Sequence, residues 1–110
     1  MTTTFCVSGS VVLRAGSNAT ILTETQYSEL INCAEAQICN ATKYDWVTYY
    51  PTDTTKREIL REAAASYAAI GVITYDPTQF TSANLQVAIN TNTTKYNDAI
   101  QTLENYLKNA

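Results

Sequence analysis

The chain contains no histidine. That removes the side chain most often used as a general base near neutral pH, the commonest metal ligand, and every Ser-His or Cys-His nucleophile pair. Glycine is nearly as scarce, with Gly9, Gly16 and Gly71 the only three in 110 residues. Neither a phosphate-cradling loop nor a dinucleotide fingerprint can therefore be written along the chain. Charge is low as well: Asp, Glu, Lys and Arg make up 15% of the residues, the net charge is -3, and the seven Lys and Arg are scattered. Without a basic stripe to neutralise phosphates, sequence-specific reading of nucleic acid is not expected. No apolar run approaches the roughly 18 residues of a membrane span, and Met1 to Phe5 carry no basic signal-peptide region. The expectation is a cytoplasmic chain without an anchor.

The three cysteines, Cys6, Cys33 and Cys39, are an odd number, so at least one is left unpaired within the chain and a disulfide scaffold is not expected. Cys33 and Cys39 fall on one predicted helix and point about 120° apart at about 100° per residue, so they neither bridge nor share a metal. Buried thiols are the simplest reading. Three glycosylation sequons start at Asn18, Asn40 and Asn92; the abundance of Asn, Ser and Thr yields about two by chance, and without a secretion signal they carry no weight.

What the chain does have is apolar content, 45% of the residues, enough to fold around one core. The expected domain spans residues 1–110, with an N-terminal arm and short element over 1–21 and a helical bundle over 22–108. The surface left to Thr, Asn, Ser and Gln suits contact with other protein. In the short element, Val11-Val12-Leu13 reads either as a strand or, with Ser8 or Ser10 before it and Gly16 after it, as one or two helical turns, which we favour. Residues 17–20 read as a loop.

Thr23 followed by Gln26 is a capping-box pattern and opens the first long helix, over about residues 23–43. Tyr27, Leu30, Ile31, Ala34, Ile38 and Ala41 keep a helical apolar spacing, which leaves Glu29, Asn32, Glu35 and Gln37 toward solvent. After an aromatic hinge and Pro51, Thr55 with Glu58 reads as a second capping box. It precedes Ile59, Leu60, Ala63, Ala64, Tyr67, Ile70 and Gly71 at helical spacing, in a helix over about 56–74. The opposite face is charged through Arg57, Glu58, Arg61 and Glu62, then turns apolar at Ala65, Ser66, Ala69, Val72 and Ile73. A helix apolar on all sides must be covered on all sides. It is either the central helix of the domain or one whose outer face meets another subunit, and its small side chains favour close approach.

Asp76-Pro77 breaks that helix, and Ser82 is a plausible cap for a third, running to about Lys108. Its core stripe is Leu85, Ala88, Ile89, Tyr96, Ala99, Ile100, Leu103 and Leu107. Asn90-Thr91-Asn92-Thr93-Thr94 interrupts it with poor helix propensity, so a bend or fraying is expected there. The fold class is all-α: a small bundle of three long helices plus a short N-terminal element.

Carboxylates can do acid and base work without histidine, and Glu58 with Glu62 or Glu29 with Asp45 are the available pairs. A solvated helix face with local ion pairs such as Glu58 to Arg61 explains them more simply. The segment that calls for explanation is the hinge, where Tyr44, Trp46, Tyr49 and Tyr50 crowd together. Rings with polar tips suit protein interfaces, whereas Trp46 and a tyrosine could equally plug the end of the bundle. Both hold if Trp46 points inward and a tyrosine outward. The candidate contact residues are thus Tyr44, Tyr49, Tyr50, Ala65, Ala69, Val72 and Ile73, with no catalytic, metal or cofactor site.

Ala34-Glu35-Ala36-Gln37-Ile38 closing the first helix, Lys43-Tyr44-Asp45-Trp46 after it, and Ile59-Leu60-Arg61-Glu62-Ala63-Ala64-Ala65 with Ala68-Ala69-Ile70 in the second carry a resemblance. Over about residues 22–107 the chain resembles the phage head-tail connector family, small helical adaptors that dock under the portal ring. Where many members have a Gly-Arg pair after the first helix, this chain has Asn40-Ala41-Thr42-Lys43. The resemblance implies a virion structural protein, not an enzyme, that forms a ring between portal and tail. Its partners would be neighbouring copies of itself, the portal, and tail or stopper proteins. Genomic DNA would pass through the lumen without sequence-specific binding. An acidic chain is compatible with such a channel, since negative walls repel the phosphate backbone. The alternative is a small cytoplasmic helical adaptor or regulator that binds a partner protein through the same hinge.

Overall fold

Most of the helix signals in the sequence meet their counterparts in the structure, a computed structural model that describes residues 3–16, 21–75 and 82–108. Among the described residues the chain is all-α, with four helices: α1 (Ser8–Ala15), α2 (Glu24–Thr42), α3 (Thr54–Tyr75) and α4 (Ser82–Lys108). None is long and apolar enough to cross a membrane. The expected loop at 17–20 and the break at Asp76-Pro77 lie outside the described residues, as does the side chain of Ser82.

The short N-terminal element is a helix. It starts from extended backbone at Val7, without a side-chain cap. Ser8 Oγ instead bonds the Glu24 carboxylate at 3.1 Å. Gly16, at φ 90°, ends it in a conformation that a Cβ disfavours. The capping box that opens α2 is complete: the Gln26 amide donates to Thr23 Oγ1 (3.2 Å) and the Thr23 amide to Gln26 Oε1 (2.9 Å). On α3 the expected cap is displaced. Asp53, not Thr55, caps the helix, its Oδ1 accepting the Thr55 amide at 2.9 Å. Asp is at least as strong a cap as Thr, and its position places Thr55 already inside the first turn.

The central helix is α3, which packs against α4, α2 and α1. Ala63, Ala64, Ala65 and Ser66 are all fully buried, and four consecutive helical residues point in every direction around the axis. Their small side chains let three neighbours approach one helix. Tyr67 against Tyr96 (5.1 Å between centroids) and Lys56 over Tyr106 (5.3 Å) set α3 and α4 antiparallel. Against α2 the approach is close at Gly71, where a Cβ would meet Leu30 Cδ2 at 2.8 Å.

Three expectations about faces are corrected. Ala65, Ala69, Val72 and Ile73, at 0–1% exposure, lie in the chain's own interior and are not a surface for another subunit. Tyr67, Ile70 and Gly71, assigned to the core stripe, are instead partly open and line a shallow depression of about 240 Å3 beside Leu30. Glu35, assigned to solvent, is 4% exposed.

The fourth correction concerns α4, which runs without interruption through residues 90–94. Asn92 is buried there, its Nδ2 donating to the carbonyls of Ala88 (3.0 Å) and Arg14 (3.3 Å). A polar residue that fits poorly in an isolated helix becomes a tie between α4 and α1 once both its hydrogens are used. Burial also removes the Asn92 sequon from the surface. At about 1.5 Å per residue, the 27 residues of α4 account for the longest dimension of the molecule, 44 Å.

Arg14 joins α1 to α3 through an ion pair with Glu62, its Nε lying 3.2 Å from Oε2, while its Nη1 donates to the Ser10 carbonyl. Partial burial pushes the Glu62 carboxyl up, but the hydrogen bonds and charge of Arg14 outweigh it and hold the group below the ordinary carboxylate range. A carboxyl lowered on folding stabilises the protein above its unfolded pKa, and that stabilisation is lost as pH falls through the folded value. Glu62→Gln is therefore expected to cost about 1–2 kcal/mol near neutral pH. The difference from the parent should shrink as pH falls below the ordinary carboxylate range and through the lowered folded value, as read by urea unfolding at neutral and acid pH.

Candidate protein-docking surface

Lys43 ends α2 in the left-handed conformation (φ 57°, ψ 35°) and turns the chain into the aromatic hinge. Trp46 then folds back onto α2: its Nε1 donates to Thr42 Oγ1 at 2.9 Å, and the Thr42 hydroxyl donates to the Ile38 carbonyl at 2.8 Å. With Trp46 at 4% exposure, the indole both fills the end of the bundle and satisfies its polar atom. Asp45 caps the single turn that follows. Its Oδ1 accepts the Thr48 amide (3.0 Å) and its Oδ2 the Thr48 hydroxyl (2.6 Å), while the Tyr49 amide reaches the Asp45 carbonyl (3.1 Å). Those bonds from Thr48 hold the Asp45 carboxyl below its ordinary pKa.

This scaffold presents two tyrosines outward. Tyr44 packs on Trp46 (4.6 Å between centroids) and on Tyr49 (6.1 Å), and Tyr49 remains 65% exposed. Tyr44 and Val47 are exposed too. The expected division, Trp46 inward and a tyrosine outward, is what the hinge shows. Tyr50 is different: half-buried, it stacks on Phe5 (5.9 Å, 13° between planes), and Arg57 lies over its ring at 4.8 Å. Of the seven expected contact residues the structure brings Tyr44 and Tyr49 together at the surface, places Tyr50 beside them under Phe5, and puts the four α3 residues in the core.

Two carboxylates of α3 are engaged in ion pairs. Glu58 pairs with Arg61 (2.9 Å) on the wet face of α3, and Glu62 with Arg14. Cys6 is buried, Cys39 half-buried and Cys33 exposed, all three as free thiols. Among the described residues no group of three His, Cys, Asp or Glu side chains could hold a metal ion.

Two features were missed in the sequence. One is the outward face of α1, where Val12 and Leu13 stay exposed, Leu13 at 80%; a helix of eight residues was too short for its periodicity to distinguish its faces. The other is Glu35, whose Oε2 accepts the amides of Thr4 (2.7 Å) and Phe5 (2.8 Å). Its position was a usable signal, because it lies four residues after Ile31 and three before Ile38, within the core stripe.

Fold and surface together define a small all-α protein with a braced, outward-facing aromatic turn. Compared with protein-family models, with curated proteins and with solved structures, the chain matches none.

Proposed function

We propose that this chain is a structural protein of the phage virion, a ring-forming connector that docks between portal and tail, with the aromatic hinge as one of its contact surfaces. The observation that carries the docking surface is the pair Tyr44 and Tyr49, exposed yet held by the buried Trp46 anchor and the Asp45 cap. Rigid aromatic rings bury much area at small entropic cost, which is why they dominate protein contacts. The connector assignment itself is supported by the resemblance of residues 22–107. The net charge of -3 per copy suits a ring whose lumen passes DNA without holding it.

Electron microscopy of the purified chain with its cognate portal is expected to show an added ring. Tyr49→Asp should reduce ring occupancy by about tenfold or more, the effect of losing one central aromatic contact. Its melting temperature should stay that of the parent, because Tyr49 contributes little to the interior. A chain that never associates with portal or tail components overturns the reading. Binding of a single partner without a ring would instead make it an adaptor that uses the same hinge.

A further inference from the structure

We propose that residues 3–7 form a releasable strap, latched by Glu35, that opens without unfolding the bundle and so controls access to Cys6 and to the face of Tyr50 that Phe5 covers. Neither the strap nor its opening depends on the connector reading.

The strap has no regular secondary structure of its own. It is held to the bundle at two points, Glu35 and Tyr50, and braced by one bond of its own. The Thr4 and Phe5 amides donate to one carboxylate oxygen of Glu35, the Phe5 ring stacks on Tyr50, and the Thr3 hydroxyl closes a turn on the Cys6 carbonyl at 2.6 Å. Docked, it buries Phe5 (2% exposed) and Cys6 (6%).

The residue type at the latch is informative. Position 35 faces the core, where an apolar side chain would pack without the desolvation cost of a carboxylate; buried charges are often outperformed by well-packed hydrophobes. Glu35 Oε2 accepts two amides from a segment 30 and 31 positions away. The attachment is therefore strong when made, because charge-assisted bonds are roughly twice as strong as neutral ones. It is also reversible, because water can replace both partners when the strap lifts. A segment without regular secondary structure, tied by a few such contacts, opens with far less free energy than the helices beneath it.

Cys6 reports the state of the strap. Burial, followed by the nearby Glu35 charge, pushes its thiol up to about 11, so it is unreactive while docked. Once lifted it returns to the ordinary thiol range and meets solvent. The hinge is coupled to the same event, since Tyr50 exchanges its Phe5 neighbour for water.

The test is site-resolved alkylation of the full chain by iodoacetamide, read by mass spectrometry beside amide hydrogen exchange. Exposed Cys33 calibrates the reagent. Glu35→Gln keeps the shape and one acceptor but removes the charge, which by itself also lowers the Cys6 thiol; opening is therefore read first from exchange of the strap amides, expected to speed about tenfold, with Cys6 alkylation rising beside it. Exchange of the buried α3 amides around Ala64 and Ala68 should not change. Phe5→Ala, with the latch intact, should move Cys6 in the same direction, and decides the matter if Glu35→Gln disturbs the whole fold. The proposal is overturned if the strap amides exchange no faster in either variant, or if the strap and Cys6 rates rise only in proportion to exchange in the α3 core.

Discussion

Val72→Glu is expected to abolish folding. Val72 is 1% exposed, and its neighbours along α3, Ala68, Ala69 and Ile73, are at 0–1%. A carboxylate placed there has no cation on its own stretch of helix and cannot reach water without displacing a neighbouring helix. Burying an unpaired charge costs several kcal/mol, a large share of the roughly 5–15 kcal/mol that holds a domain together. Far-ultraviolet circular dichroism should show loss of most of the helical signal, or a melting transition too low to measure. The alternative outcome is a folded monomer that fails only to assemble. It would mean that this face of α3 is an intersubunit surface after all, and would contradict the burial described above.

Leu103→Ala should have the next largest effect. Leu103 is fully buried on α4, the helix with the most extensive packing on α3. Removing a buried Leu side chain loses its transfer free energy and leaves a cavity that packed helices close only in part, a cost of about 2–5 kcal/mol. In a domain of this size that lowers the melting temperature by about 10 °C or more. Leu13→Ala is the control. The same substitution at a position 80% exposed should stay within about 0.5 kcal/mol of the parent. Equal losses at the two positions would show that burial is not the source of the effect.

Tyr49→Asp and Glu35→Gln then probe separate properties. The first alters a surface that contributes little to stability, and the second a local opening beneath the global one. Neither depends on the core behaving as these two substitutions require.

Much of the architecture was legible because it is local. The Thr23 and Gln26 capping box, the stripe from Tyr27 to Ile38, and the stop near Lys43 each follow from interactions within a few residues along the chain. Helix α4 declared its buried set in the same way, with Ala99, Ile100 and Leu103 at the expected spacing. Trp46 inward and a tyrosine outward was the arrangement that reconciled the interface and end-plug readings of the hinge.

Apart from the local shift of the α3 cap from Thr55 to Asp53, the errors share one cause: each depended on which neighbour stands on which side. The sequence showed that the second half of α3 lacks a polar face, and therefore that it must be covered. It could not say whether by the chain itself or by another copy, because both satisfy the same burial requirement. The packing of α1, α2 and α4 around α3 supplies the answer. It also turns the partly open side of that helix to Tyr67, Ile70 and Gly71. Asn92 read as a helix weakener until the carbonyl of Arg14 came within 3.3 Å of its amide, and Glu35 as a solvated charge until Thr4 and Phe5 offered it their amides. Periodicity and caps are properties of one helix and survive in the sequence. A buried polar group is defined by a partner distant along the chain, and that partner is known only when the helices have packed.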